Sequence, residues 1–305
     1  MSYATIILVQ IAQMFVLIAV GTVLFRFRRM GTDGAKDFGS LLVNVVIPVV
    51  IVRSLWTDRT QETTEALVST FILALGLLVL ALVVSRSVFR EDGLLAFATA
   101  FSNAGFVGIP LVEAALGEQA VIYIVCLIGW LNVLQCTVGV LMISGDRTFV
   151  SPRSVVTSPI VISFGLGLAL YFIGLPEPSL LSDLFSTVAA LNTPVAMIVS
   201  GSYLAQVRVH DLVENRGAWM VCILRLLIIP ALSLVFLAIL PWGHGTAGLA
   251  LLIASSAPVG ANVAIYAHQC DGDYRTAVIT VCSTTLLSII TLPLVIAAGS
   301  SVLLT

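Results

Sequence analysis

Apolar runs long enough to cross a bilayer follow one another from end to end of this sequence, parted only by short connectors such as "FREDG", "GLPEPS" and "PWGHG". A transmembrane helix needs about 20 mainly apolar residues. Runs of that kind lie near 5–25, 37–56, 66–86, 94–116, 119–143, 155–174, 183–205, 217–240, 246–268 and 274–298. Hydrophobic residues make up 59% of the 305 and charged residues 10%, against about 25% charged in an ordinary soluble domain. With so little charge, most of the surface must face lipid, and no connector has room for a soluble domain. The expectation is an all-α, polytopic membrane protein of ten transmembrane helices in the cell membrane.

The basic residues orient these spans. Arg26, Arg28, Arg29, Lys36, Arg86, Arg90, Arg147, Arg153, Arg208, Arg216 and Arg275, eleven of the fourteen Lys and Arg, fall on alternate connectors. The positive-inside rule makes those connectors cytoplasmic and sets both termini outside. Arg26, Arg28 and Arg29 follow the first apolar run, the reverse of a signal peptide's charge order, so that run reads as a retained span. A net charge of −2 gives no footing for nucleic acid. The five cysteines show no disulfide or metal-ligand spacing, and neither metal nor cofactor is expected.

Residues 1–145 and 150–305 each hold five spans, an odd number, so the second half enters the membrane from the opposite face. Polar and helix-breaking residues recur at matching places. Span 2 carries Asn44 and Pro48, span 7 Asn192 and Pro194, span 4 "FSNAGFVGIP" and span 9 "ASSAPVGANV". Such inverted five-helix repeats are a common plan for secondary transporters. Asn103, Gly105, Gly108 and Pro110 fall at mid-depth in span 4, and Ser256, Pro258 and Asn262 do so in span 9. Proline removes a backbone donor and glycine weakens helix preference, so both spans should break near the bilayer centre. Backbone freed there must face protein or a water-filled cavity, which favours broken helices 4 and 9 crossing inside the bundle. Pro110 and Pro258 suit the first position of a new helix. Two helix N-termini would then converge on one point and form an anion site of backbone N–H groups. Asn103, Ser256 and Asn262 would add neutral donors.

At these residues the sequence resembles the auxin efflux carrier family, whose bacterial members include malonate- and malate-type permeases. The resemblance lies in "NVVIPVVIVRSLW", "FSNAGFVGIPLVEAALGEQAVIY" and "SSAPVGANVAIYAHQCDGD" and in the layout of the whole chain. It implies two inverted five-helix repeats divided into a scaffold and a transport domain, with Pro110 and Pro258 near the cross-over. It also implies a small organic anion as substrate, with Asn103 and Asn262 lining its site. The long cytoplasmic loop of the plant members is absent, since only residues 144–154 separate spans 5 and 6. The fold is more distantly similar to that of the sodium–bile acid symporters.

Other polar residues admit more than one role. Asn132 and Gln135, three apart in span 5, suit either pocket lining or interhelical bonding. Gln10 and Gln13 in span 1 suit interhelical bonding or a homodimer contact. Glu113 suits a proton carrier or the lining of an exit. Arg225, deep in span 8, suits pairing within the bundle, snorkelling to the headgroups or contact with substrate. Proton-driven pumps carry acidic or histidine chains at mid-membrane, and none is evident here. A sodium ion could be held by unwound carbonyls, so sodium coupling, proton coupling and uniport all stay open. Since the membrane potential drives an anion outward, the reading is efflux of a carboxylate by alternating access, with a coupled uptake symporter as alternative. A channel needs a continuous pore. An intramembrane enzyme fits poorly, because "IVSGSYLAQ" offers serines while His210, His244 and His268 lie at span ends or in connectors.

Overall fold

In the computed structural model, which describes residues 3–304, the chain is helical almost throughout. The helices are α1 (Tyr3–Arg26), α2 (Thr32–Leu55), α3 (Gln61–Val88), α4 (Gly93–Ala100), α5 (Ala104–Leu116), α6 (Glu118–Ser144), α7 (Arg147–Ile173), α8 (Ser179–Gln206), α9 (Val209–Glu214), α10 (Arg216–Ala238), α11 (Gly245–Ser255), α12 (Asn262–Gln269) and α13 (Tyr274–Leu303). Among the described residues eight of these, α1, α2, α3, α6, α7, α8, α10 and α13, are long and apolar enough to cross a membrane. The two regions expected to break do break, into α4 with α5 and α11 with α12.

The first helix of each half packs on the second helix of the other. α1 lies along the later part of α8 so closely that a Cβ at Gly21 or Gly201 would collide with the carbonyls of Ile198 or Ile18. Thr22 Oγ1 also donates to Gly201 O at 3.0 Å. Small residues allow such backbone approach where burial from water supplies no driving force between helices. α7 packs on α2, and a Cβ at Gly167 would come within 2.8 Å of Leu55 Cδ1. α3, α4, α5, α6, α10, α11 and α13 surround the breaks, and the two incoming helices are buried at nearly every residue of Leu95–Ala100 and Gly248–Ser255.

Three Ile-Pro pairs share one local device. The N–H groups of Ile47, Ile109 and Ile229 reach back five residues, to the carbonyls of Leu42, Ala104 and Leu224. Pro48, Pro110 and Pro230 come next in each case. A proline ring clashes with the carbonyl four residues before it, and a widened π turn relieves the clash without ending the helix. The expectation that Pro110 opens a new helix is therefore corrected: the helix already runs from Ala104, with Asn103 as its N-cap. Pro258 does not open one either; it lies in the non-helical link, and α12 starts at Asn262.

Candidate functional site at the crossing of the broken helices

The two breaks meet through their backbones. Ser102 and Val259 form an isolated antiparallel bridge, with Asn103 N donating to Pro258 O at 2.8 Å and Gly260 N donating to Phe101 O at 3.1 Å. Val259 N donates to Thr284 Oγ1 of α13 at 3.1 Å. These bonds satisfy groups that the broken helical ladders release, as burial away from water requires. Gly260 suits the close approach, because a Cβ there would lie 3.2 Å from Ser102 O.

Two helices begin at the bridge. The Asn103 side chain caps α5 by accepting from Phe106 N at 3.3 Å, and its backbone carbonyl accepts from Val107 and Gly108. α12 begins two residues after Gly260. At α12 Val263 N and Ala264 N donate to Gly260 O and Ala261 O at 3.1 Å each, so at both helices only the very first N–H groups lie ahead of any acceptor in the turn. Between these ends lies a cavity of about 50 Å³, lined by Asn103, Gly105 and Phe106 of one break and Gly260, Ala261 and Asn262 of the other. Asn132 and Gln135 of α6 line it too, and Asn262 Nδ2 donates to Gln135 Oε1 at 2.8 Å. None of its lining residues is charged. One water needs about 10–15 Å³ by this measure, so the space holds only a few water-sized groups.

Val43, Asn132 and Asn262 also border a much larger vestibule of about 980 Å³. Asn44, inside α2, lines its wall together with Lys36, Ser154, Gln206 and His268, and these last four lie on or next to the basic connectors. Contacts at the opposite end link α2, α3, α6, α7 and the segment after α7. Arg53 pairs with Glu118, Trp56 Nε1 donates to Leu175 O at 2.7 Å, and the Tyr171 hydroxyl meets Thr63 and Thr64 at 2.8 Å each. Closer to the crossing, Asn192 Nδ2 donates to Gly105 O at 3.2 Å.

Of the residues singled out in the sequence, Asn103, Gly105, Asn132, Gln135 and Asn262 thus gather at one cavity. Gly108 instead packs on α11, where a Cβ would lie 3.2 Å from Ala254 Cα. Pro110 is buried within α5, and Pro258 contributes its carbonyl to the bridge. Ser256 is buried but absent from the cavity wall. Asn44 is exposed to the vestibule and donates to Ser40, while Pro48, Pro194 and Glu113 are half-buried away from the cavity. Arg225 neither snorkels nor reaches the cavity. It is 1% exposed and donates to the carbonyls of Ala257 at 3.0 Å, Thr99 and Ala100 at 3.3 Å each, and Ser255. Sequence reasoning missed Ser158, whose hydroxyl donates to Asn132 Oδ1 at 2.7 Å, and the apolar lining from Val43, Ile47 and Ile160.

The family model described as membrane transport protein matches residues 6–296. The chain belongs to this family, that of the auxin efflux carriers. A relative from Methanothermobacter thermautotrophicus, described as an uncharacterized transporter, is 24% identical over 292 residues, which is 93% of this chain and 95% of the relative. The chain is thus a multi-pass membrane transport protein.

Proposed function

We propose that this transporter carries a small organic anion through the cell membrane by alternating access, exporting it down the membrane potential, with the crossing as its binding site. The observation that carries the reading is the pairing of Ser102 with Val259, which brings two helix N-termini to one uncharged, polar cavity. Partly unpaired N–H groups at two positive helix ends favour a carboxylate. The Asn103 amide and the Asn262–Gln135 pair supply neutral hydrogen-bonding groups, and the vestibule accommodates the rest of the solute. The apolar wall from Val43, Ile47 and Ile160 excludes water around the carboxylate's substituent.

On this reading residues 1–145 and 150–305 are inverted five-helix repeats, making ten spans with both termini outside. The reciprocal packing of α1 on α8 and α7 on α2 supports that symmetry, and these four helices form the scaffold. The conformation is inward-facing, since the vestibule opens among the basic connectors while Arg53–Glu118 and Asn192–Gly105 close the far side.

The test is a thermal-shift screen of purified protein against malonate, malate and acetate, in sodium or choline salts, followed by flux in proteoliposomes. The expected result is a rise in Tm with at least one carboxylate and saturable flux with counterflow. Asn262→Leu should remove both while still folding. Carboxylate transport unchanged in that variant, or flux that neither saturates nor shows counterflow, would refute the site or the carrier.

A further inference from the structure

The crossing has a second side, which the anion reading leaves unused. Every helix that stops at a break leaves its last carbonyls without an intrahelical partner and carries about −0.5 charge at that end. α4 and α11 both stop here. Their two C-termini together place about one negative charge deep in the bundle, within reach of the N-termini of α5 and α12. Uncompensated, it would cancel the attraction of those N-termini for an anion. Carbonyl clusters of this kind, at unwound segments and half-helix ends, are the ligand set with which transporters hold sodium.

Here the cluster is occupied by a side chain. The Arg225 guanidinium donates to Thr99 O and Ala100 O at the end of α4, to Ser255 O at the end of α11 and to Ala257 O in the link. Among the described residues no carboxylate pairs with it, so its counter-charge is the backbone itself. The planar fork presents five donors on one rigid group, which a lysine ammonium cannot copy. Its delivery also follows from the chain: Arg225 lies in the widened turn Leu224–Ile228 that Pro230 imposes on α10.

We propose that Arg225 is a resident counter-cation: its guanidinium fills the carbonyl cage at the crossing in place of a metal ion and leaves the facing N-termini free to act on an anion. The first clause rests on the backbone geometry alone, and only the second rests on the anion-carrier reading. Arg225 is a positioning residue, since it holds both breaks and does not line the cavity. It follows that the protein needs no sodium at the crossing.

The experiment measures Tm of the detergent-purified full chain in sodium chloride and in choline chloride at equal ionic strength, with no carboxylate present. Wild type should melt at the same temperature in both. Arg225→Gln should melt lower by about 5 °C or more, in line with the loss of several buried bonds, and should recover when sodium or millimolar guanidinium is added. A purely structural arginine would not create a new sodium response. Arg225→Lys keeps a cation in the cage and should stay insensitive to sodium even if less stable, which preserves the test if the Gln variant fails to fold. A wild-type Tm that rises in sodium, a sodium-responsive Lys variant, or a Gln variant that matches wild type or that no cation restores would each overturn the proposal. Loss of the carboxylate-induced shift in wild type would instead count against the anion reading and leave the cage untouched.

Discussion

Asn103 performs two tasks that substitution can separate. Its side-chain oxygen caps α5 through Phe106 N, and the same amide lines the cavity. Its backbone N–H and carbonyl hold the bridge and the first turn, which mutation of the side chain leaves in place. Asn103→Ala removes the cap and should cost about 1 kcal/mol, within a range of 0.5–2, or roughly 2–4 °C in Tm. Asn103→Asp keeps a capping acceptor, and the helix N-terminus keeps the new carboxylate ionised, so stability should stay near that of wild type or rise. Binding should not survive. A second carboxylate at about 5 Å, with an effective dielectric near 20, adds about 3 kcal/mol of repulsion, a loss of about 100-fold in affinity.

The assay is isothermal titration with malonate or whichever carboxylate stabilises wild type, run beside thermal unfolding of each variant. The expected pattern is a destabilised Ala variant with weakened binding and a stable Asp variant that does not bind. An Asp variant whose affinity stays within threefold of wild type would place the anion elsewhere. An Ala variant as stable as wild type would show that the cap carries no weight.

Two further predictions concern the framework. Gly201→Leu drives a side chain into the Ile18 carbonyl across α1 and α8 and should destabilise by at least the 1–3 kcal/mol typical of overpacking. Gly165→Leu, with no atom within 4 Å of a built Cβ, should be neutral; equal Tm values for the two variants would contradict the packing. At the basic end, the Arg275 guanidinium bonds Asp211 at 2.7 Å and holds its carboxyl below the usual range. A folded-state pKa below the unfolded value stabilises above the unfolded pKa and is lost as pH falls through the folded one. The small Tm gap between wild type and Asp211→Asn should accordingly be full near neutral pH and shrink as pH falls below the usual carboxylate range and through the lowered folded-state pKa; a gap that does not change on acidification would refute the pairing.

How much of this was legible in the residues depends on what each feature leaves behind in a sequence. Breaks in a membrane helix leave a mark where Asn, Gly and Pro cluster together, as in spans 4 and 9, whereas Asn44 with Pro48 leaves α2 continuous, and Asn103, Gly105 and Asn262 meet at one cavity. The spacing of Asn132 and Gln135 put the two side by side but left pocket lining and interhelical bonding open, and both line the cavity while also bonding Ser158 and Asn262. What each proline does was misread, because composition cannot tell a helix start from a widened turn: Pro110 rides within α5, and Pro258 serves the bridge. Ser256 could not be distinguished from a lining serine without knowing which way the link turns. Arg225 drew notice as an isolated buried charge, but its partners are backbone carbonyls, which every residue carries and no sequence pattern marks.

The way the breaks are satisfied accounts for the site's position. Two interrupted helices release N–H and carbonyl groups into a region where unsatisfied groups cost several kcal/mol each, and the structure disposes of them unequally. The bridge pairs Phe101, Asn103, Pro258 and Gly260, Thr284 takes the N–H of Val259, and Arg225 takes the carbonyls of Thr99, Ala100, Ser255 and Ala257. Carbonyls therefore find donors within the protein, and Asn103, Gly260 and Ala261 accept from later N–H groups of α5 and α12, while the very first N–H groups of both helices lie beside the cavity that Gly105, Ala261 and Asn262 line. A bundle that merely had to be stable could have capped α12 with a side chain as Asn103 caps α5, yet α12 has no such cap and its first N–H groups stay free of side-chain acceptors. Leaving them facing a cavity that adjoins a vestibule makes sense where the missing acceptor arrives from solution. On the proposed reading that acceptor, with no proton to donate and drawn to two positive helix ends whose opposing ends Arg225 neutralises, is an anion.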